Sequence, residues 1–338
     1  MATPDALELI APGTTVGAPE LPHRHVPAAL DFAFDAFDIP TAAALPRRSP
    51  DESSLGQALS GLARVTETPD GELHIEVEPG ATWASIGTGL DAPAFEALQA
   101  FIERCRRRDH AGVVRWTLPG PLTAGTALVQ AGVAPSAAFK FAGHAVRGRL
   151  AAIADAFAAA APRARQLIVV DESLAGLGQA DGPLSPGEAT DLLSSALAEV
   201  ERVATVGVRV GTDADLALLL EAGPRVIEIP TTADTATYAG YLGSFLARGG
   251  WITWGVVDTE GPIVDTPTRA WKRLNDTWCG LVQRGCDPAV LRRQALFSTT
   301  GGLAAHTPAG AVQIAATVGD VARLVRAEAG AARFVLGA

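Results

Sequence analysis

Four carboxylates stand at the ends of two apolar runs. Asp171 and Glu172 close LIVVD (167–171) and its next residue, and Asp258 and Glu260 follow WITWGVV (251–257). If both runs end on one face of the molecule, the two groups oppose each other across a shared mouth. Acids placed so bind an amine or relay a proton, although aspartate at such positions equally suits the start of the next helix. Arg209 lies in the middle of GVRVG (207–211). A charge inside a buried strand needs a carboxylate, here Glu228, Asp171 or Asp213, or an anionic ligand. Gly301 and Gly302 could offer backbone amides to an anion. His23 and His25 have the spacing of two metal ligands on an extended segment, but with no third ligand nearby they read as surface polar residues. His306 reads as a surface or helix-start residue. Ser173 lacks the G-x-S-x-G setting of a nucleophile. Trp251 and Trp254 read as packing residues.

The elements that must position these residues alternate between short β-rich runs and longer helical patterns. Strands are expected in LELIAPGT, IPTAAALP, 112–117, 167–171, 206–211, 225–230, 251–257 and 295–299. Helices are expected at 27–37, 91–108, from 186 through Val203, near 236–248, at 267–284 and from about 309 to 329. SPGE at 185–188 is a capping box with proline at the first helical position. Phe95, Leu98, Phe101, Ile102 and Cys105 form one helical stripe. Alternation of this kind implies a parallel sheet, and eight units imply an α/β fold of the (β/α)8 TIM-barrel type. A doubly wound sheet would want a G-x-G-x-x-G after its first strand, and none is there. RVTETPDGELHIEVEPG adds a β-hairpin near residues 63–80, turning at Pro69, Asp70 and Gly71. Residues 1–338 read as a single domain. In a barrel, function gathers where the strands end.

Composition narrows the classes. The chain has 338 residues, 48% hydrophobic and 19% charged, with a net charge of −10, which suits a large buried core. The acidic balance disfavours nucleic acid. The longest apolar stretch, around AAIADAFAAAA, is too short for a membrane span, and the amino terminus lacks a signal-peptide pattern. Three cysteines, Cys105, Cys279 and Cys286, without C-x-x-C spacing, read as reduced thiols in a cytoplasmic protein. Cys279 and Cys286 are expected as core positions of one helix. The expected partner is a small molecule, and a homodimer through outer helices is compatible with the sequence.

Five stretches in order, GTTVGAPEL (13–21), TLPGPLT (117–123), IVVDESL (168–174), GVVDTEGP (255–262) and STTGGL (298–303), together resemble the catalytic barrel of cobalamin-independent methionine synthase. That family lies within the uroporphyrinogen decarboxylase/methionine synthase-like superfamily. The resemblance implies a single-barrel relative of a zinc-dependent methyltransferase that uses a methyl-folate. It implies a zinc site after strands five, six and eight, but the matching positions here hold Arg209 and Gly211, then Glu228 or Pro230, then Gly301. It implies an amino-acid pocket in which Asp171 holds an amino group and Val16, Gly17 and Ala18 occupy the segment that touches the substrate. Arg209, as a holder of an anionic group, and Thr231, at the end of strand six, are further substrate-binding candidates from their positions. Asp171, Asp258 and Glu260 are the candidate catalytic residues. No cofactor is expected, because arginine and glycine are not zinc ligands. The expected function is therefore that of a diverged barrel that has lost the zinc ligands. It would bind or convert a small amine- or carboxylate-bearing metabolite without thiol methylation. The alternatives are a working homocysteine S-methyltransferase or a non-catalytic barrel that binds a metabolite or partner.

Overall fold

The computed structural model describes residues 5–67, 73–78, 80, 86, 89–173 and 183–335. Eight parallel strands form one curled sheet. They are β1 (Thr14–Thr15), β2 (Thr41–Ala42), β5 (Val113–Pro119), β6 (Arg165–Glu172), β7 (Thr205–Val210), β8 (Val226–Pro230), β9 (Trp251–Val257) and β10 (Ala295–Thr299). The order is β1-β10-β9-β8-β7-β6-β5-β2. A parallel bridge between Val16 and Ile39 joins the two ends, with Ile39 N–H donating to Thr15 O at 3.0 Å. The sheet is thereby an α/β barrel of the expected (β/α)8 class. The added hairpin pairs β3 (Ala63–Glu67) with β4 (Leu73–Val77), antiparallel, Ala63 opposite Val77. Its expected turn at Pro69 to Gly71 lies outside the described residues.

Strand parity decides what each side chain does. In β6, Ile168 and Val170 join the layer between barrel and helices, whereas Leu167 and Val169 join the interior cluster. β5, β7 and β8 alternate likewise: Val114 and Trp116, Val206 and Val208, and Ile227 and Ile229 point outward. Arg115, Asp171, Arg209 and Glu228 therefore face inward, since side chains two apart share a face.

The interior is apolar at one end and charged at the other. The expected first strand in LELI is instead a 3-10 turn, Ala6–Leu9, capped by Asp5. Ala6, Leu7 and Ile10 pack with Val113, Leu167, Val226 and Leu296 and plug the N-terminal end of the barrel. Ala6 N–H donates to Thr205 Oγ1 at 2.9 Å, and that hydroxyl donates to Asp5 Oδ1 at 2.6 Å.

The helices follow their sequence signals. The stripe on α3 (Glu96–Arg107), with Phe95 just before it, is buried as expected. α6 (Pro186–Ala198) starts with the Ser185/Glu188 capping box, both bonds formed. α4 (Pro121–Gln130) and α5 (Pro135–Ala160) complete the middle of the helix layer, and α11 (Pro308–Val335) the end. α9 (Pro267–Val282) stops before Cys286, because Gly285 takes a positive φ of 98°. Cys286 is therefore buried off the helix, and Cys279 is exposed on it, not a core residue. Among the described residues no helix is long and apolar enough to cross a membrane.

Candidate functional site

The C-terminal mouth of the barrel is built on two stacked ion pairs. The lower joins Arg115 of β5 to Glu228 of β8. Nε donates to Oε1 at 2.9 Å and Nη2 to Oε2 at 2.7 Å, while Nη1 reaches Gly17 O at 3.2 Å. Arg115 is wholly buried. This bidentate geometry satisfies both partners, which a buried pair requires. The upper pair joins neighbouring strands: Arg209 Nη1 donates to Asp171 Oδ2 at 2.6 Å, in a register that sets Asp171 beside Arg209. Asp171 Oδ1 also accepts from Ser173 N at 2.9 Å. Burial works against the Arg209 charge, but the carboxylates of Asp171, Glu228 and Glu20 outweigh it and raise its pKa above the ordinary value.

Arg209 also reaches across the barrel. Its Nη2 donates to Thr300 O at 2.6 Å, and Thr300 Oγ1 donates to Asp258 Oδ1 at 3.4 Å. Asp171 and Asp258 are thus linked through Arg209 and Thr300. A side chain at Gly301 would collide with Thr259 Oγ1, and its first carbon would lie 3.7 Å from Arg209 Nη2. Between Arg209, Glu228, Thr253 and Ser298 the remaining cavity is about 10 Å³, room for roughly one water and no more.

The adjacent acid, Glu172, points the other way. It accepts from Leu122 N at 3.1 Å and Thr123 N at 2.6 Å, capping α4 from a neighbouring strand. Gly120 leaves it room, since any side chain there would strike its carboxylate. Burial pushes the Glu172 carboxyl up to about 8, against the two backbone N–H groups. The two acidic residues thus divide the roles: Asp171 faces the mouth and Glu172 is a helix cap.

The other candidates scatter. Asp258 is half-buried and accepts from Glu260 N at 3.0 Å, in a turn that leaves Glu260 exposed. His306 Nε2 lies 3.0 Å from Thr259 O and fastens this loop. Thr231 is buried in a structural network: its hydroxyl donates to Gly255 O and accepts from Arg273 Nε, while Arg273 pairs with Asp265. Val16 packs in the apolar interior, Gly17 contributes its carbonyl to Arg115, and Ala18 is buried in the outer layer. Gly211 closes on Ser173, whose carbonyl oxygen would lie 2.7 Å from an added side-chain carbon. His23 is buried against Phe32, which lowers its pKa; it is not a surface residue. Sequence reasoning missed Arg115 and Glu20. The signal for Arg115 was its parity with Val113 on an apolar strand.

Fold and site together define an α/β barrel whose C-terminal mouth is lined by paired charges. A solved B12-independent methionine synthase from Shewanella sp. W3-18-1, in complex with selenomethionine, is similar in structure. It has a TM-score of 0.61 and 13% sequence identity, over 95% of this chain and 100% of that one. A glycoside hydrolase family 5 enzyme from Prevotella bryantii B14 overlaps 72% of this chain and 80% of its own, with a TM-score of 0.43 and 13% identity. No family model matches the chain, and no curated protein matches it.

Proposed function

We propose that this chain is a diverged methionine-synthase-like barrel that binds a small amine- or carboxylate-bearing metabolite at its C-terminal mouth, without zinc-activated thiol methylation. The observation that carries this reading is the Arg209–Asp171 pair. Zinc takes imidazole, thiolate or carboxylate ligands. At the positions where the resemblance implies them stand Arg209, Gly211 and Gly301, and Glu228 has both oxygens held by Arg115. Among the described residues no group of three His, Cys, Asp or Glu could hold a metal. The donor set does not fit zinc, and a fixed guanidinium repels a cation.

The pair suits a ligand of matched charge. Arg209 and Asp171 keep side-chain exposures of 11% and 12%. A lone ammonium on Asp171 would compete with Arg209 and strand a buried charge. A zwitterion engages both at once, ammonium on the carboxylate and carboxylate on the guanidinium, and strands neither. Any proton transfer falls to Asp258 and Glu260, which form no ion pair among the described residues. Because the mouth's strongest charges neutralise each other, a metabolite-binding barrel without turnover is the second reading.

The test is calorimetric titration with a panel of amino acids and their decarboxylated and deaminated analogues, on the native chain and on Asp171→Asn and Arg209→Met. Zwitterions are expected to bind, and each variant to weaken them by about tenfold or more, as loss of a charged hydrogen bond implies. Unchanged binding in an Asp171→Asn/Asp258→Asn double variant would refute the site.

A further inference from the structure

On the outer face of the barrel, away from the mouth, α9 and α10 (Pro288–Arg293) enclose a cavity of about 370 Å³. This lies within the roughly 300–1,000 Å³ typical of small-ligand sites. Its walls are Trp278, Val282, Pro288 and Leu291, with Arg292 and Cys279 also lining it. Trp278 is 7% exposed and anchored to the core, edge-on to Trp254 and tilted against Phe297, both at 6.4 Å. Val282 is 37% exposed, an apolar side chain left open to solvent.

Charge selects the occupant. From Trp278 to the end of α10 stand three arginines, Arg284, Arg292 and Arg293, and one acid, Asp287, which caps α10 through the N–H groups of Ala289 and Val290. Arg292 lines the cavity itself, in the last turn of α10 beside Arg293. An apolar hollow with a cation at its edge is complementary to an amphiphilic anion. We propose that this groove is a second ligand site, for a small monoanionic amphiphile such as a medium-chain or aromatic carboxylate. Its apolar body would lie on Trp278, Val282 and Leu291, and its carboxylate on Arg292.

The chain carries its own reporter. Cys279 is exposed in this groove, whereas Cys105 and Cys286 are buried. The native protein is labelled with the neutral reagent N-ethylmaleimide, with decanoate, decanol or decylammonium present, and modification of Cys279 is timed by mass spectrometry. Saturating decanoate is expected to slow labelling by about tenfold, as when roughly a tenth of the sites are free. Decylammonium should protect far less. Arg292→Glu should abolish decanoate protection while leaving unliganded labelling intact, and Arg292→Gln should weaken it without reversing the charge. Equal protection by the anion and the cation, or none by decanoate, would overturn the proposal. So would a Cys279 that resists labelling in ligand-free protein at concentrations where the chain dimerises, since the groove would then belong to a second copy.

Discussion

Arg115 and Glu228 are 113 residues apart and meet at 2.7 Å with almost no exposure. Removing one partner from such a pair leaves a buried charge, which typically costs about 3–5 kcal/mol. Arg115→Met and Glu228→Gln should each show a loss of that order in urea denaturation, and Arg115→Met/Glu228→Leu should recover most of it. A double variant as unstable as the sum of the singles would mean that the two do not act as a pair. Glu172 supplies a pH test. Its folded pKa, about 8, lies above the usual carboxylate value because burial disfavours the charge. The folded state then holds a proton that the unfolded state releases, so stability is full below the unfolded pKa and falls as pH rises through about 8. Thermal melts from acid to mildly alkaline pH should show this slope in the native chain and a flatter one in Glu172→Gln. Equal slopes would assign the pH dependence elsewhere. The sequence named Asp171 and Arg209 and offered Asp171 as one partner. It could not show Arg115 beneath them, because GVVRWT reads as a strand without revealing which partner strand brings the carboxylate.

At the level of elements, the apolar runs that became β5 to β10 were legible because each is β-rich and bounded by breakers or caps. The front of the chain was not. LELI has the apolarity of a strand, but Asp5 caps it into a 3-10 turn, and the strand itself is only Thr14–Thr15. Leu7 is 6% exposed within the plug. Leu7→Ala should cost about 2–5 kcal/mol, the usual cost of a cavity in a packed core, read from chemical denaturation. A loss below about 1 kcal/mol would show the plug to be dispensable. Ser185→Ala should cost about 1 kcal/mol by removing one half of the α6 capping box. Restoring it with Thr or Asp should recover much of that loss, and failure of both would deny the cap its role.

For the whole molecule, eight parallel strands closed by the Val16–Ile39 bridge gather the C-terminal loops on one face. The alternation of elements made this architecture legible, since eight strand–helix units leave few other ways to bury both faces of a parallel sheet. The chemistry of the mouth was less legible, because it depends on which side chains meet. In the proposed function, arginine–carboxylate pairing inside the barrel stands in place of a zinc site. Native mass spectrometry of the purified chain, equilibrated with excess zinc and then dialysed, tests that claim most directly. Zinc-free protein is the expected result, with any retained mass belonging to a small organic ligand. A chain carrying near-stoichiometric zinc, lost on substitution of residues lining the mouth, would contradict it.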